Sequence, residues 1–588
     1  MKNDDRKLSR RGFIKGTAAA SLGTVAAGAL APGAAQAAPA AQTTPPAPTP
    51  PHGAELRGMR LPAKQPTAEA RFGFMVKNMP AYAPTDDNLL RVLGQKMTEN
   101  QGANADDNDT WNENPNPEMT AGMTFIGQFI DHDITFDTTR LEDQVDDPDA
   151  VKNFRSPRYD LDALYGRGPV ADPQLYGHLS GSKADRTKFN IQVNSLGLED
   201  IPRQTSGEAK GKAIIADPRN DQHMIIAQLH LAFMKFHNAL VNYSRRMRVP
   251  EAAVFESSRR LARWLYQWVI IHHYLPTIVG TTTRDAVYRD VAGTGKPPII
   301  NLKFYKPSDK TKPFIPLEFA VAAFRFGHSQ ARPRYTVSET IWPNTATPQK
   351  VSKIALFSDA ETEDKLNGSR EIPPRLKIQW SRFFNTPGVT PSPAKRTRQL
   401  DSRLSDPLHQ LPMTALPDSN PERLLAVRNL LRSSMLKLPS GQEMARRLGE
   451  TPLTNEELAM RHIVRLNKDT FVPIAPSHDG EDVEYDTEIG PIITDPRFRG
   501  EVPLWFYILK EAELVGKTRQ LGPVGGRIVA ETLVGLLLSD KNSYLYLNPG
   551  WKPPAAFARK DAAGRVVKVN GIEVFEMYDL LKYAGVWS

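Results

Sequence analysis

A chain of 588 residues that is 40% hydrophobic and 24% charged can fold as one large or several ordinary domains, and its 49 prolines argue for interrupted helices and long loops. It contains no cysteine, which excludes structural disulfides, iron–sulfur clusters and thiol catalysis. The formal charge of +9 is mild once residues 1–37, net +4, are set aside, and no long basic tract occurs, so nucleic acid is not an expected partner.

Ser9-Arg10-Arg11-Gly12-Phe13-Ile14-Lys15 resembles the full twin-arginine export signal. A small-residue, weakly apolar region follows from Gly16 and ends in Ala35-Gln36-Ala37, an A-x-A-type cleavage site. Residues 1–37 are therefore expected to be a signal peptide read by the twin-arginine export machinery, with a periplasmic or extracellular product. That route carries folded proteins, which suits a chain without cysteine. Residues 38–65 are rich in Ala, Pro and Thr and read as a linker. Residues 66–588 are expected to form one domain. No other run reaches the ~18 apolar residues of a spanning helix. The nearest, 264–280, is broken by His272, His273 and Pro276, so no membrane span is expected.

Residues 85–118 are rich in Asn, Asp and Pro and read as irregular surface. The stretch 124–136 then sets an amide, two carboxylates and an imidazole in an apolar run. At helical period Gln128, Asp131 and His132 share one face, while Asp133 points about a quarter-turn away. Four such groups would be costly to bury without partners, so the stretch reads as a site. Oxygen donors recur at alternate positions of the loop Ser156-Pro-Arg158-Tyr-Asp160-Leu-Asp162. This spacing suits Ca²⁺, although for the loop taken alone a polar turn with an Asx-type cap is the preferred reading.

Residues 222–247 read as a long helix with His223, His230 and His237 every seven residues, taken as core histidines with satisfied hydrogen bonds. Pro250 starts a second helix, expected to stop before Pro276, with 276–314 irregular. Pro316 is expected to open one apolar helix through residue 330, carrying Arg325 and His328. Residues 335–420 read as a surface excursion. Helices resume with 422–433, containing Asn429 and Arg432, then 503–516 and 522–538, with capping boxes at Ser440/Glu443 and Thr454/Glu457. No βαβ alternation, repeat or nucleotide-binding fingerprint appears. The expected fold class is mainly α with long loops.

From about residue 72 onward, five motifs in order resemble the animal-type haem peroxidases, the superfamily of myeloperoxidase, lactoperoxidase and peroxinectin. These are Gly127-Gln-Phe-Ile-Asp-His-Asp133, the loop at 156–162, Asp217-Pro-Arg-Asn-Asp-Gln222, Ala323-Phe-Arg-Phe-Gly-His328, and Asn429 with Arg432. The resemblance implies haem b between a distal and a proximal helix. It implies that His132 is the distal base, Arg219 the distal cation and Gln128 the holder of the distal water or halide. His328 would be the axial iron ligand, with Asn429 accepting its imidazole proton and Arg325 and Arg432 on the propionates. Asp131 matches a residue esterified to haem. Gln222 stands where a second ester-forming Glu is common, so at most one ester, through Asp131, is expected. Calcium would be held by Asp133, Ser156, the Arg158 carbonyl, Asp160 and Asp162. The implied activity is reduction of H₂O₂ and oxidation of a small donor (halide, thiocyanate or phenol) through an oxyferryl state. Two alternatives are a fatty-acid dioxygenase and a haem- or calcium-binding adhesion protein. Arg325 stands where dioxygenases of the cyclooxygenase branch carry a radical-forming Tyr, Tyr335 comes after His328, and no R-G-D occurs.

Overall fold

In a computed structural model, residues 72–98, 115–136, 153–180, 183–207, 209–291, 295–338, 353–357, 365–405, 423–462 and 483–588 are described. The expected leader and linker, residues 1–37 and 38–65, lie outside them. The longer helices among the described residues are α1 (Asn88–Lys96), α2 (Gly122–Ile134), α3 (Met224–Arg246), α4 (Glu251–Val269), α5 (Leu275–Val287), α6 (Leu425–Met435), α7 (Gly441–Leu448), α8 (Leu504–Leu514), α9 (Pro523–Ser539) and α10 (Met577–Tyr583). Strands form only two-stranded ribbons among the described residues. The architecture is mainly α, as expected.

The most apolar helices sit innermost because they are hydrophobic on every side. Helix α3 is long and apolar enough to cross a membrane, yet 83% of its apolar window is buried in protein. Helix α9 is likewise buried almost throughout, and its glycines set the packing distance. A Cβ on Gly525 would lie 2.6 Å from the Ile508 side chain, and one on Gly535 2.2 Å from the Tyr305 ring. Thr454 and Glu457 form the complete capping box, whereas Ser440 caps α7 alone because the Glu443 carboxylate pairs with Arg446.

Four expectations fail, each for a local reason. Residues 85–118 include α1, whose Leu89, Leu90 and Leu93 are buried. The chain does not stop before Pro276: a π turn, Ile270–Tyr274, leads into α5 with Pro276 in its first turn, where no N–H is needed. Residues 365–405 are a wall rather than a surface excursion. Trp380, Phe383 and Phe384 are buried there, and Arg396–Arg398 pairs with Pro115–Thr120 ahead of α2. The segment from Pro316 is not one helix but a π turn (Glu318–Ala322), a 3₁₀ turn (Ala323–Phe326) and an α turn (Gly327–Gln330). Arg325 Nε donates to the Ala320 carbonyl at 3.0 Å, an acceptor that a regular helix gives to the amide at 324. Such register changes re-aim side chains and recur at functional sites.

Glu318 anchors this broken segment. Its buried carboxylate accepts the Met75 and Val76 amides at 2.9 and 3.1 Å. Burial outweighs those bonds and pushes its pKa up to about 7. A carboxyl raised on folding contributes stability that is complete below its unfolded pKa and is lost as pH rises through the folded one. Thermal melting of the wild type should therefore weaken between about pH 5 and 8, by roughly 2–3 kcal/mol from this group. Glu318→Gln should lessen the dependence, leaving the part due to Glu511, whose pKa burial raises to about 8, and an unchanged profile would refute the assignment.

Candidate active site

Helix α2 carries Gln128, Asp131 and His132, the residues expected on the distal side. Phe125, Ile126, Phe129 and Ile130 are buried, and Phe129 stacks on Phe233 at 4.4 Å between centroids. These contacts orient the opposite side of the helix. There Gln128 and Asp131 keep accessible surface while His132 is 5% exposed. His132 Nδ1 lies 2.8 Å from Asn220 Oδ1, and Asn220 Nδ2 lies 3.1 Å from His230 Nδ1. With Nδ1 donating to the amide oxygen, His132 Nε2 is left as the acceptor. Burial, with the Arg219 charge second, lowers the His132 pKa to about 4, so the imidazole is neutral at physiological pH. His230 is not merely a core residue: it closes this chain of bonds, and burial lowers its pKa to about 4.

His223 caps α3, its Nδ1 accepting the Ile226 amide at 3.2 Å. Its Nε2 must then carry the proton, which it donates to Gln128 Oε1 at 2.9 Å. The Gln128 amide NH₂ is thereby the free end, a donor suited to a water or an anion. All three histidines are buried with satisfied hydrogen bonds, as expected, and His237 bonds the Tyr165 hydroxyl and the Thr187 carbonyl. Asp131 Oδ1 accepts the Thr135 hydroxyl at 2.8 Å, which fixes the carboxylate.

Arg219 is held by two partners. Its Nη2 donates to the His132 carbonyl at 2.9 Å and to Asp217 at 2.7 Å, and its guanidinium lies 4.3 Å from the centre of the Phe136 ring. Asp217 is wholly buried and also pairs with Arg155 at 2.6 Å. Burial raises the Asp217 pKa, but Arg155 and Arg219 together hold it far below the usual carboxylate range. Arg155 reaches on to Asp162 at 3.4 Å. A continuous polar chain therefore joins the 156–162 loop to Arg219. Arg155 carries no sequence signal, and Asp217 enters the sequence only as the first residue of the motif at 217–222.

That loop converges on Asp133. Ligand atoms of Asp133, Asp160 and Asp162 lie within 4.8 Å of one another. Asp133 Oδ1 is buried without a hydrogen-bond partner, and burial together with Asp160 and Asp162 pushes the Asp133 pKa up strongly. Ser156 Oγ is 2.9 Å from Asp160. The Arg158 guanidinium turns to Asp540 at 3.5 Å, so only its carbonyl is suited to ligate an ion. A cavity of about 330 Å³ lies beside Arg158, Asp160 and Asp540. An all-oxygen set with an orphaned carboxylate oxygen fits a hard cation such as Ca²⁺. Occupancy at a hundred times Kd should stabilise the fold by about 2.7 kcal/mol. Chelation is expected to lower the melting temperature, and Asp133→Asn should abolish that sensitivity.

On the proximal side, the Gly327–Gln330 turn packs against α2, bringing the two histidine-bearing elements together. Burial lowers the His328 pKa to about 3. Its Nδ1 is 3.0 Å from Asn429 Nδ2, while Asn429 Oδ1 accepts Arg325 Nη1 at 3.0 Å. Asn429 is the expected partner of His328, but the polarity is the reverse of that expected: it donates to the imidazole instead of accepting from it. The cause is Arg325, which claims the amide oxygen. Among the described residues Arg325 has no ion pair with a carboxylate, and burial lowers its pKa, with Asp131 the anion that supports its charge. Burial also lowers the Arg432 pKa, to about 10. Arg325, joined to His328 through Asn429, and Arg432, one turn beyond Asn429 on α6, fit a cofactor that carries carboxylates and a metal seeking an imidazole.

Residues 148–372 match the family model of the animal haem peroxidases. Curated relatives include haem peroxidase 2 of Caenorhabditis elegans, 32% identical over 126 residues, and human thyroid peroxidase, 23% identical over 189. These matches cover 20% and 30% of this chain, and 16% and 19% of the relatives' own length. Peroxidase A from Dictyostelium discoideum superposes with a TM-score of 0.52 at 16% identity, over 82% of this chain and 88% of that one. A fatty acid alpha-dioxygenase of Oryza sativa with palmitic acid superposes with a TM-score of 0.50 at 12% identity, over 80% and 77%. The structural likenesses show a shared fold. The segment 148–372 is thus similar to the animal haem peroxidases, and the chain shares their fold with Peroxidase A.

Proposed function

We propose that the chain is a haem peroxidase that reduces H₂O₂ and oxidises a small donor: a halide, thiocyanate or a phenol. The observation that carries this reading is the neutral His132, held by Asn220 with Nε2 left to act as a base. In this reading Nε2 takes the proton from the near oxygen of peroxide and returns it to the leaving oxygen. Arg219, fixed by Asp217, offsets the charge that develops on that oxygen. The Gln128 NH₂ holds the water or anion. His328 would hold the haem iron, Arg325 and Arg432 the propionates, and Asp131 one ester at most. When bound, haem supplies the redox centre that peroxide oxidises and the donor restores. Asp133, Ser156, the Arg158 carbonyl, Asp160 and Asp162 would hold Ca²⁺. Phe324 and Phe326 flank Arg325, and this absence of a phenol from the proximal turn argues against dioxygenase chemistry.

With one ester at most, we expect bromide, iodide or thiocyanate to be oxidised in preference to chloride, and efficient chloride oxidation would refute that. We also read residues 1–37 as a twin-arginine leader that delivers the folded chain outside the cytoplasm. The deciding experiment is an absorption spectrum of the haem-loaded protein before and after one equivalent of H₂O₂, then with each donor. A Soret band that changes with peroxide and is restored by donor is the expected result. No Soret band, or one indifferent to peroxide, would overturn the proposal.

A further inference from the structure

Three hydrogen bonds leave His328 in a tautomer that cannot bind iron. Arg325 donates Nη1 to Asn429 Oδ1 and Nε to the Ala320 carbonyl, both at 3.0 Å. A guanidinium has donors only, so the amide end that meets it must be the oxygen. The end that meets His328 Nδ1, at 3.0 Å, is then the NH₂. That group also only donates, so Nδ1 accepts, and in a neutral imidazole the proton sits on Nε2. Nε2 is the nitrogen that remains for a metal, and protonated it has no lone pair to give.

We infer that Arg325 determines which tetrapyrrole is accepted, by making iron ligation at His328 conditional on a free carboxylate of the cofactor through rotation of the Asn429 amide. This rests on the haem reading above. An ionised cofactor carboxylate offers Arg325 a charge-assisted, two-pronged partner, stronger than a neutral amide oxygen. Once Arg325 turns to it, Asn429 Oδ1 is a buried acceptor without a donor, which is costly. Asn429 is 1% exposed, so water does not readily replace the lost bond. Rotating the amide by about half a turn puts Oδ1 on His328 Nδ1, because NH₂ and O exchange places across the planar group. One proton leaves Nε2 and one is gained at Nδ1. No electron moves, and Nε2 regains the lone pair that iron requires. A porphyrin with esterified carboxylates offers Arg325 only neutral oxygens, no stronger than the amide oxygen it already holds, so the amide and the imidazole stay as they are.

The test compares haem b with its dimethyl ester in titrations followed by Soret absorbance, and by the iron–histidine band in the Raman spectrum of the reduced complex. Wild-type protein should bind haem b with the band. It should bind the diester at least about tenfold more weakly, the loss of one charge-assisted contact, and without the band. Asn429→Asp places two acceptor oxygens between Arg325 and Nδ1, so both are served without rotation. It should show the band with either cofactor and discriminate by less than about threefold. Arg325→Met frees the amide by another route and should do the same. In cofactor-free protein, the ¹⁵N shift of His328 Nδ1 should be that of an unprotonated nitrogen and should change in Asn429→Asp. Equal binding and ligation of both cofactors by wild type, or full discrimination by Asn429→Asp, overturns this inference alone. Uptake of neither cofactor by wild type overturns the haem reading with it.

Discussion

Replacing His132 by Leu is expected to slow the reaction of the haem-loaded protein with H₂O₂ by about 10²–10⁴-fold, the range that a positioned acid–base group supplies. Cofactor uptake should be little changed, because the groups that would hold the iron and the propionates lie off α2: Arg325 and His328 in the turns 323–330, and Asn429 and Arg432 on α6. The size of the effect follows from the state of the imidazole. With its pKa lowered to about 4, chiefly by burial, His132 is a ready base at neutral pH. Asn220 at 2.8 Å keeps the proton on Nδ1, so Nε2 does not spend time as a donor. Asn220→Leu should therefore cost less, about tenfold, since the base survives but its orientation and tautomer are no longer fixed. Stopped-flow absorbance in the Soret region measures both variants. A loss below about threefold in the His132 variant would remove the base from the mechanism.

The residues legible in the sequence are those whose roles depend on near neighbours. Gln128, Asp131 and His132 share a helical face whatever surrounds the helix, and alternate oxygens at 156–162 suit an ion before the partner carboxylate is known. What the sequence did not disclose are bonds made across the chain. Asn220 meets His132 over 88 residues, Asp217 meets Arg155 over 62, and Glu318 meets Met75 over 243. Each involves an ordinary polar residue whose neighbours give no periodic signal. The hidden breaks have the same origin. Residues 316–330 read as a helix because their apolar pattern is helical, and the reading fails because Arg325 bonds the Ala320 carbonyl. Residues 365–405 look polar overall, yet Trp380, Phe383 and Phe384 seat them against the start of α2, where Gly122 leaves room for them. The polarity of the Asn429 amide was beyond the sequence for a further reason: it is set by Arg325, and which oxygen a donor claims depends on coordinates.

Asp217→Ala is expected to destabilise the fold by about 3–5 kcal/mol, the cost of stranding buried charge. Asp217 accepts from Arg155 at 2.6 and 3.1 Å and from Arg219 at 2.7 and 3.1 Å, and caps the turn Pro218–Asp221 through the Arg219 amide at 2.9 Å. Removing it leaves Arg155, which is 4% exposed, with long contacts at 3.4 Å to Asp162 and to the Ala216 carbonyl, of which only the first is charged. Arg219 keeps the His132 carbonyl and the Phe136 ring but loses the carboxylate that aims it. Chemical denaturation should show the stability loss, and the peroxide reaction should slow because the distal cation is no longer fixed. The double variant Asp217→Ala/Arg155→Met separates these effects. Deleting the stranded guanidinium should restore part of the stability, since an apolar side chain of similar reach needs no counter-charge. It cannot restore the aim of Arg219, so the rate should stay low. If stability and rate recover together, Asp217 serves only to neutralise Arg155. If neither recovers, its cap of the Pro218–Asp221 turn outweighs both pairings.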